Sequence, residues 1–240
     1  MRSWIAALLI STAVVTSSIP ASASSLQIMP INVEVTAPGT VSKVTLTNTG
    51  SDKINAQIRI FKWVQINGKD ELRETRDVVA SPPALKLRGG KTSVIRIVRV
   101  SKTPAEHEES YRLVIDELPK PPKPGQTGVG FQIRYSLPVF FSKPGDDIDI
   151  NWKAAVSSGN IVLTAANSGA RRLRLADLTI VGRDGKNVSL GSGLSGYVLG
   201  QSSRKWVAKA KSIKAGSVIK IVAQGDNGPI EATATVQASN

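Results

Sequence analysis

The side chains that could carry catalytic chemistry are few and badly placed for it. His107 is the single histidine, set in the acidic run Ala105-Glu106-His107-Glu108-Glu109, which reads as a solvated loop. The chain has no cysteine, which excludes disulfides, thiolate metal sites and a Cys–His nucleophile. A Ser–His–Asp site would need His107 beside a nucleophile in a shaped pocket, and no flanking motif marks one. Glu106, His107 and Glu108 are consecutive and point in different directions, a poor arrangement for a metal. Asp146, Asp147 and Asp149 lack the spacing and terminal glutamate of a calcium loop. Gly191-Ser192-Gly193 lacks the Gly-Lys-Ser/Thr ending of a phosphate loop. No enzyme activity, metal or cofactor is expected.

What remains is recognition. The chain holds 31 Lys+Arg against 18 Asp+Glu, a net charge of +13. Such a field favours carboxylates and other anionic partners. The cations are interleaved with strand-forming residues rather than gathered in a tail or helix, so nucleic acid is not expected as a partner. Trp63 and Phe61 read as packing residues rather than a platform for bases. Residues 129–137 read V-G-F-Q-I-R-Y-S-L. Val129, Phe131, Ile133, Tyr135 and Leu137 share one face; Gly130, Gln132, Arg134 and Ser136 share the other. Alternation alone fits an ordinary core strand. Pro138, which has no N–H for a ladder, favours an edge, and a long flat apolar edge recruits other chains. The preceding Lys120-Pro121-Pro122-Lys123-Pro124-Gly125 disfavours strand and helix alike.

A strand of this kind needs sheets to hold it. Arg2, the apolar run 4–15 and Ala21-Ser22-Ala23 have the order of a secretory signal peptide over residues 1–23, and the apolar run itself is too short to span a bilayer. Later segments are not apolar enough to span, so no membrane insertion is expected. Beyond the leader, strand patterns recur at 41–48, 54–65, 93–100, 111–118 and 129–141, with turns at Gly39, Gly50, Asn67-Gly68 and Gly89-Gly90. Lys143-Pro144-Gly145 makes a short joint. The strand pattern then restarts at 148–152, 160–166, 172–182, 197–199, 205–210, 218–223 and 232–236. No segment sustains a helical period with caps. The reading is all-β, with two sandwich domains at 24–144 and 145–240.

Ser110-Tyr111-Arg112-Leu113-Val114-Ile115-Asp116-Glu117-Leu118-Pro119 resembles the penultimate-strand motif of periplasmic pilus-assembly chaperones of the chaperone–usher pathway. Phe131-Gln132-Ile133-Arg134-Tyr135-Ser136-Leu137-Pro138-Val139-Phe140 resembles the donor strand of their archaic, Csu-like branch. Gln57-Ile58-Arg59-Ile60-Phe61-Lys62-Trp63 and Ser81-Pro82-Pro83 are similar to the same branch. The second domain matches weakly, at Gly196-Tyr197-Val198-Leu199 and Asp226-Asn227-Gly228.

The resemblance implies two immunoglobulin-like domains set at an angle with a cleft between them. It also implies a periplasmic chaperone that caps an incomplete pilin by donor-strand complementation and passes it to an outer-membrane usher. Val129, Phe131, Ile133, Tyr135 and Leu137 would enter the pilin groove. Free chaperones could pair with one another through the same strand. Family members hold the pilin C-terminal carboxylate with basic residues, often one on the first strand and one on the donor strand. Here Met29-Pro30-Ile31-Asn32-Val33-Glu34-Val35 carries neither arginine nor lysine. The archaic pattern therefore points to Arg112, with Arg134 as second candidate. An interdomain ion network would use Glu109, Lys143 and Asp226. The competing reading is a secreted two-domain β adhesin or binding protein with no chaperone cycle.

Overall fold

The computed structural model describes residues 25–119 and 132–238. Among the described residues there is no helix, and eighteen strands carry the fold. The first ten make a sandwich. One sheet runs, in spatial order, β1 (Leu26–Met29), β3 (Val41–Asn48), β8 (Thr92–Arg99) and β6 (Val78–Ser81). The other runs β2 (Val33–Thr36), β10 (Arg134–Ser142), β9 (Glu109–Leu118), β4 (Ile54–Ile66) and β5 (Lys69–Glu74), with β7 (Ala84–Leu87) also paired to β4. Alternating residues of both sheets fill the core, among them Leu46, Ile95, Ile97, Tyr111, Leu113 and Ile115. Asn67 and Gly68 both have positive φ, 53° and 81°, the conformation a two-residue hairpin loop requires between β4 and β5.

The opening strand does not stay in one sheet. β1 lies antiparallel to β3 in the first sheet, whereas β2 lies parallel to β10 in the second. The crossover falls at residues 30–32, and pairing with β10 begins only at Val33, opposite Val139. Among the described residues, that switch leaves part of β10 without a neighbour on one side.

The second sandwich holds β11 (Ile150–Ser157), β12 (Asn160–Asn167), β13 (Leu173–Val181), β14 (Asn187–Ser189), β15 (Leu194–Val198), β16 (Ser202–Lys209), β17 (Val218–Gly225) and β18 (Gly228–Ala238). β18 pairs antiparallel with β17 and then, from Val236, parallel with β11, so it stitches the two layers together. Ile161, Leu163, Leu175, Leu178, Ile180 and Ile221 are fully enclosed between them. A small third cluster, Trp63, Phe140, Tyr197 and Leu199, draws side chains from both sandwiches and forms the joint.

The strands expected around 41–48, 54–65, 93–100 and 111–118 are present with ends shifted by no more than two residues. β5, with sequence KDELRE and every residue exposed, has no alternation by which to be found.

A half-open edge strand and two stacked arginines

β10 is antiparallel to β9 along its whole length, from Arg134 opposite Asp116 to Phe141 opposite Glu109. Its other flank meets β2 only from Val139 to Ser142. Between Arg134 and Pro138 that flank has no strand partner among the described residues. The register says which backbone groups face it. The Glu117 N–H donates to the Ile133 carbonyl at 3.0 Å, so odd-numbered residues exchange bonds with β9. Even-numbered residues therefore point the other way: Arg134 and Ser136 present N–H and C=O to the open flank, and Pro138, next to the first β2 pair, has no N–H to present. Pro138 is tolerated because its missing N–H lies on the side with no ladder to complete.

The side chains divide less simply than the alternation suggested. Val129 and Phe131 lie outside the described residues. Ile133 is half-buried, and Tyr135, also half-buried, packs against the core of its own domain. Leu137 is a correction: it is 5 % exposed and belongs to that core, beside Val139 and Phe141. It sits two residues from the point where β2 joins and the sandwich closes, so it already has a home. The partly uncovered stretch is 133–136, and its backbone groups turned away from β9 are those of Arg134 and Ser136.

The opposite face of β9 and β10 looks toward the second domain. Phe140 of β10, Trp63 of β4 and Tyr197 of β15 form a ring cluster, with centroid separations of 6.0 Å, 5.4 Å and 5.7 Å. Two guanidinium groups cap it. Arg112 lies 3.7 Å from the Trp63 ring centroid and 5.9 Å from that of Tyr197. Arg172, from the second domain, lies 3.6 Å from the Phe140 centroid. Their electrostatics differ. Arg172 is bonded to Glu108 and to Glu34, and its backbone N–H also donates to Glu108. Arg112 has no carboxylate within ion-pair distance and no side-chain hydrogen bond among the described residues. Burial lowers its pKa from the ordinary value, opposed by the nearby Tyr197 and Asp70. A desolvated guanidinium on an aromatic face, without a counter-ion, is suited to take a carboxylate from outside. Pro138 stands opposite Arg112 across the ladder, so the open flank runs up to the level of this arginine.

Arg134 is placed differently. Its Nε donates to Asp116, which also accepts from Arg59 at 2.6 Å. Burial pushes the Asp116 carboxyl up, but the two arginines outweigh it and hold the group below the usual carboxylate range. Arg134 already has its anion, which argues against its use as an anchor.

The expected network of Glu109, Lys143 and Asp226 does not assemble. Glu109 takes two bonds from Arg99, at 2.7 Å and 2.9 Å, and one from the Tyr111 hydroxyl, all within the first domain. Asp226 pairs with Arg174 at 3.4 Å within the second. Lys143 bonds through its backbone N–H to Asp146. The joint is instead held by Glu108 and Glu34 on Arg172, by Arg171 with Glu34 at 3.6 Å, and by Asp70 with Arg204. Gln65 adds bonds to the Tyr197 carbonyl and the Leu199 N–H, and the Lys205 N–H donates to the Gly68 carbonyl. Parity separates Glu109 from Glu108. Odd residues of β9 turn into the core and even ones to the opposite face, which at the Glu108 end meets the second domain, so a one-residue shift exchanges the partners. The tandem Arg171-Arg172 was the available signal for the true network.

Two immunoglobulin-like sandwiches, joined through an aromatic cluster and bearing a half-open edge strand, define a protein built to engage an extended segment of another chain. The chain belongs to the pili and flagellar-assembly chaperone family: residues 25–145 match the model of the PapD N-terminal domain. No curated protein matches the sequence. Among solved structures it is similar to the CsuC–CsuE chaperone–tip adhesion subunit pre-assembly complex from archaic chaperone–usher Csu pili of Acinetobacter baumannii. That match has 27% identity and a TM-score of 0.67, covering 90% of this chain and 99% of that one. It shares the fold of the Salmonella enterica SafB chaperone complex with the SafA pilin, with 18% identity, TM-score 0.60 and coverage of 88% and 97%. The E. coli chaperone DraB gives 19% identity, TM-score 0.57 and coverage of 87% and 98%. The protein is a pilus-subunit chaperone of the archaic, Csu-like kind, not a free-standing adhesin.

Proposed function

We propose that this chaperone caps its pilin along the open flank of β10 between Arg134 and Pro138 and holds the pilin's C-terminal carboxylate on Arg112. The observation that carries this reading is the ladder at 134–138, one-sided among the described residues, ending level with an aromatic-stacked arginine that has no ion pair among them. An incoming strand gains N–H and C=O partners at Arg134 and Ser136. Each such bond is worth about 0.5–1.5 kcal/mol net and is indifferent to the client's side chains. Ile133 and Tyr135 supply the apolar part, with Val129 and Phe131 completing the face proposed from the alternation. β2 blocks the ladder at Val139, which fixes where the guest strand must stop.

Residues 1–23 act as the export leader that brings the chain to the periplasm, with 24–144 as the donor domain and 145–240 as its companion. An outer-membrane usher receives the loaded complex. No catalytic step is involved. In the absence of pilin the same flank can pair with a second copy of the chain.

The test is co-expression of the tagged mature chain with a pilin. The wild type should yield a soluble 1:1 complex. Ser136→Pro removes an N–H aimed at the open flank while sparing the bonds to β9, so the variant should fold and lose the pilin. A Ser136→Pro chain that retains its pilin at wild-type yield would overturn the reading.

A further inference from the structure

Asp70 lies on β5, outside the donor strand, and bonds to residues of both domains. Its Oδ1 accepts from the Trp63 indole N–H at 3.0 Å and from the Gln65 amide at 2.9 Å. Its Oδ2 is paired with Arg204, which belongs to β16 of the second domain. Trp63 is the ring on which Arg112 rests. Arg112 in turn senses both charges: Asp70 favours its ionised form and Arg204 opposes it. Burial acts to raise the Asp70 carboxyl, but the bonds from Arg204, Gln65 and Trp63 prevail and keep it below the usual carboxylate range.

We infer that Asp70 is the positioning residue of the carboxylate anchor, fixing the Trp63 ring under Arg112 and tying that ring to the second domain through Arg204. The inference rests on Arg112 being the anchor. Its physical content is a relay of contacts, Arg204 to Asp70 to Trp63 to Arg112, in which a side chain that never meets the pilin determines where the guanidinium sits. An indole has two χ angles and one donor. Once that donor is bonded, the ring plane is set, and with it the direction in which the stacked guanidinium presents its free N–H groups. Because one end of the relay is in the other domain, the anchor is fully formed only when the two domains are joined.

Asp70→Asn keeps an oxygen for the Trp63 N–H and discards the ion pair, whereas Asp70→Ala discards both. The measurement is the affinity of the full mature chain for a pilin bearing a free C-terminal carboxylate and for the same pilin with an amidated C-terminus. The expected result is that Asp70→Ala weakens binding of the free-acid pilin about ten-fold, and Asp70→Asn and Arg204→Gln less, with little change for the amidated one. In an Arg112→Ala background Asp70→Ala should have no further effect. Equal weakening of acid and amide, or losses that simply add to that of Arg112→Ala, would reduce Asp70 to general support of the fold and overturn the inference. If Arg112→Ala alone left the acid/amide ratio unchanged, the anchor itself would be misplaced, an outcome distinct from failure of the relay.

Discussion

Arg112 and Arg172 are stacked in nearly the same way on one aromatic cluster, and the difference between them lies in their counter-ions. Arg172 has two carboxylates, and its side chain is 2 % exposed; it closes the joint. Arg112 has none among the described residues, although an aspartate stands near enough to influence it. A buried cation whose partners all lie within the chain is a structural element. One left without a partner imposes a cost in the free molecule that a ligand can relieve. Similar stacking therefore serves two purposes, and only the placement of acids distinguishes them.

The sharpest way to break this contrast is to remove each arginine in turn. Arg172→Ala strands Glu108, whose carboxylate is completely enclosed and whose pKa burial already raises, so the chain should lose about 3–5 kcal/mol of stability. Thermal melting of the mature protein would show it. Arg112→Ala should leave the melt close to wild type, because it breaks the stacking on Trp63 but no hydrogen bond or ion pair among the described residues, while pilin capture in the co-expression assay falls about a hundred-fold or more. Should both variants melt alike, the distinction is wrong. Arg112→Lys tests the stack itself: the charge stays but the planar fork is lost, and capture should fall by about ten-fold, between wild type and alanine.

The smallest expected effect is in acid. Asp116 has a folded pKa below its unfolded one, so its contribution is complete above the unfolded value of about 3.9 and disappears as pH falls through the folded value. Glu108 has the opposite sign. Its folded pKa is raised, so protonation on acidification favours the folded state and does not contribute to acid unfolding. Acid titration followed by circular dichroism should therefore show a loss of stability below about pH 4 that Asp116→Asn reduces and Glu108→Gln does not.

Much of this architecture was legible beforehand. Strict alternation located the strands that have one dry face, and Pro138 marked an edge because its chemistry forbids a full ladder. Other features were hidden for physical reasons. Leu137 fits the alternating pattern as well as Ile133 does, yet the point where β2 joins decides which of them is enclosed, and that point depends on a crossover at 30–32 that has no periodic signature. Glu109 was expected in the joint, but parity along β9 gives that position to Glu108 and turns Glu109 to Arg99. Arg172 and Arg204 meet acids 64 and 134 residues away, pairings that local pattern cannot reveal. Arg112 was approachable only through its motif. Its lack of a partner is a property of the folded surroundings.

Residue-resolved amide hydrogen exchange addresses the open flank directly. In the free chaperone the amides of Arg134 and Ser136 should exchange fast while those of Tyr135 and Leu137, bonded to β9, exchange slowly, and in the pilin complex all four should be slow. Slow exchange at Arg134 and Ser136 in the free monomer, or fast exchange there in the complex, would contradict the account.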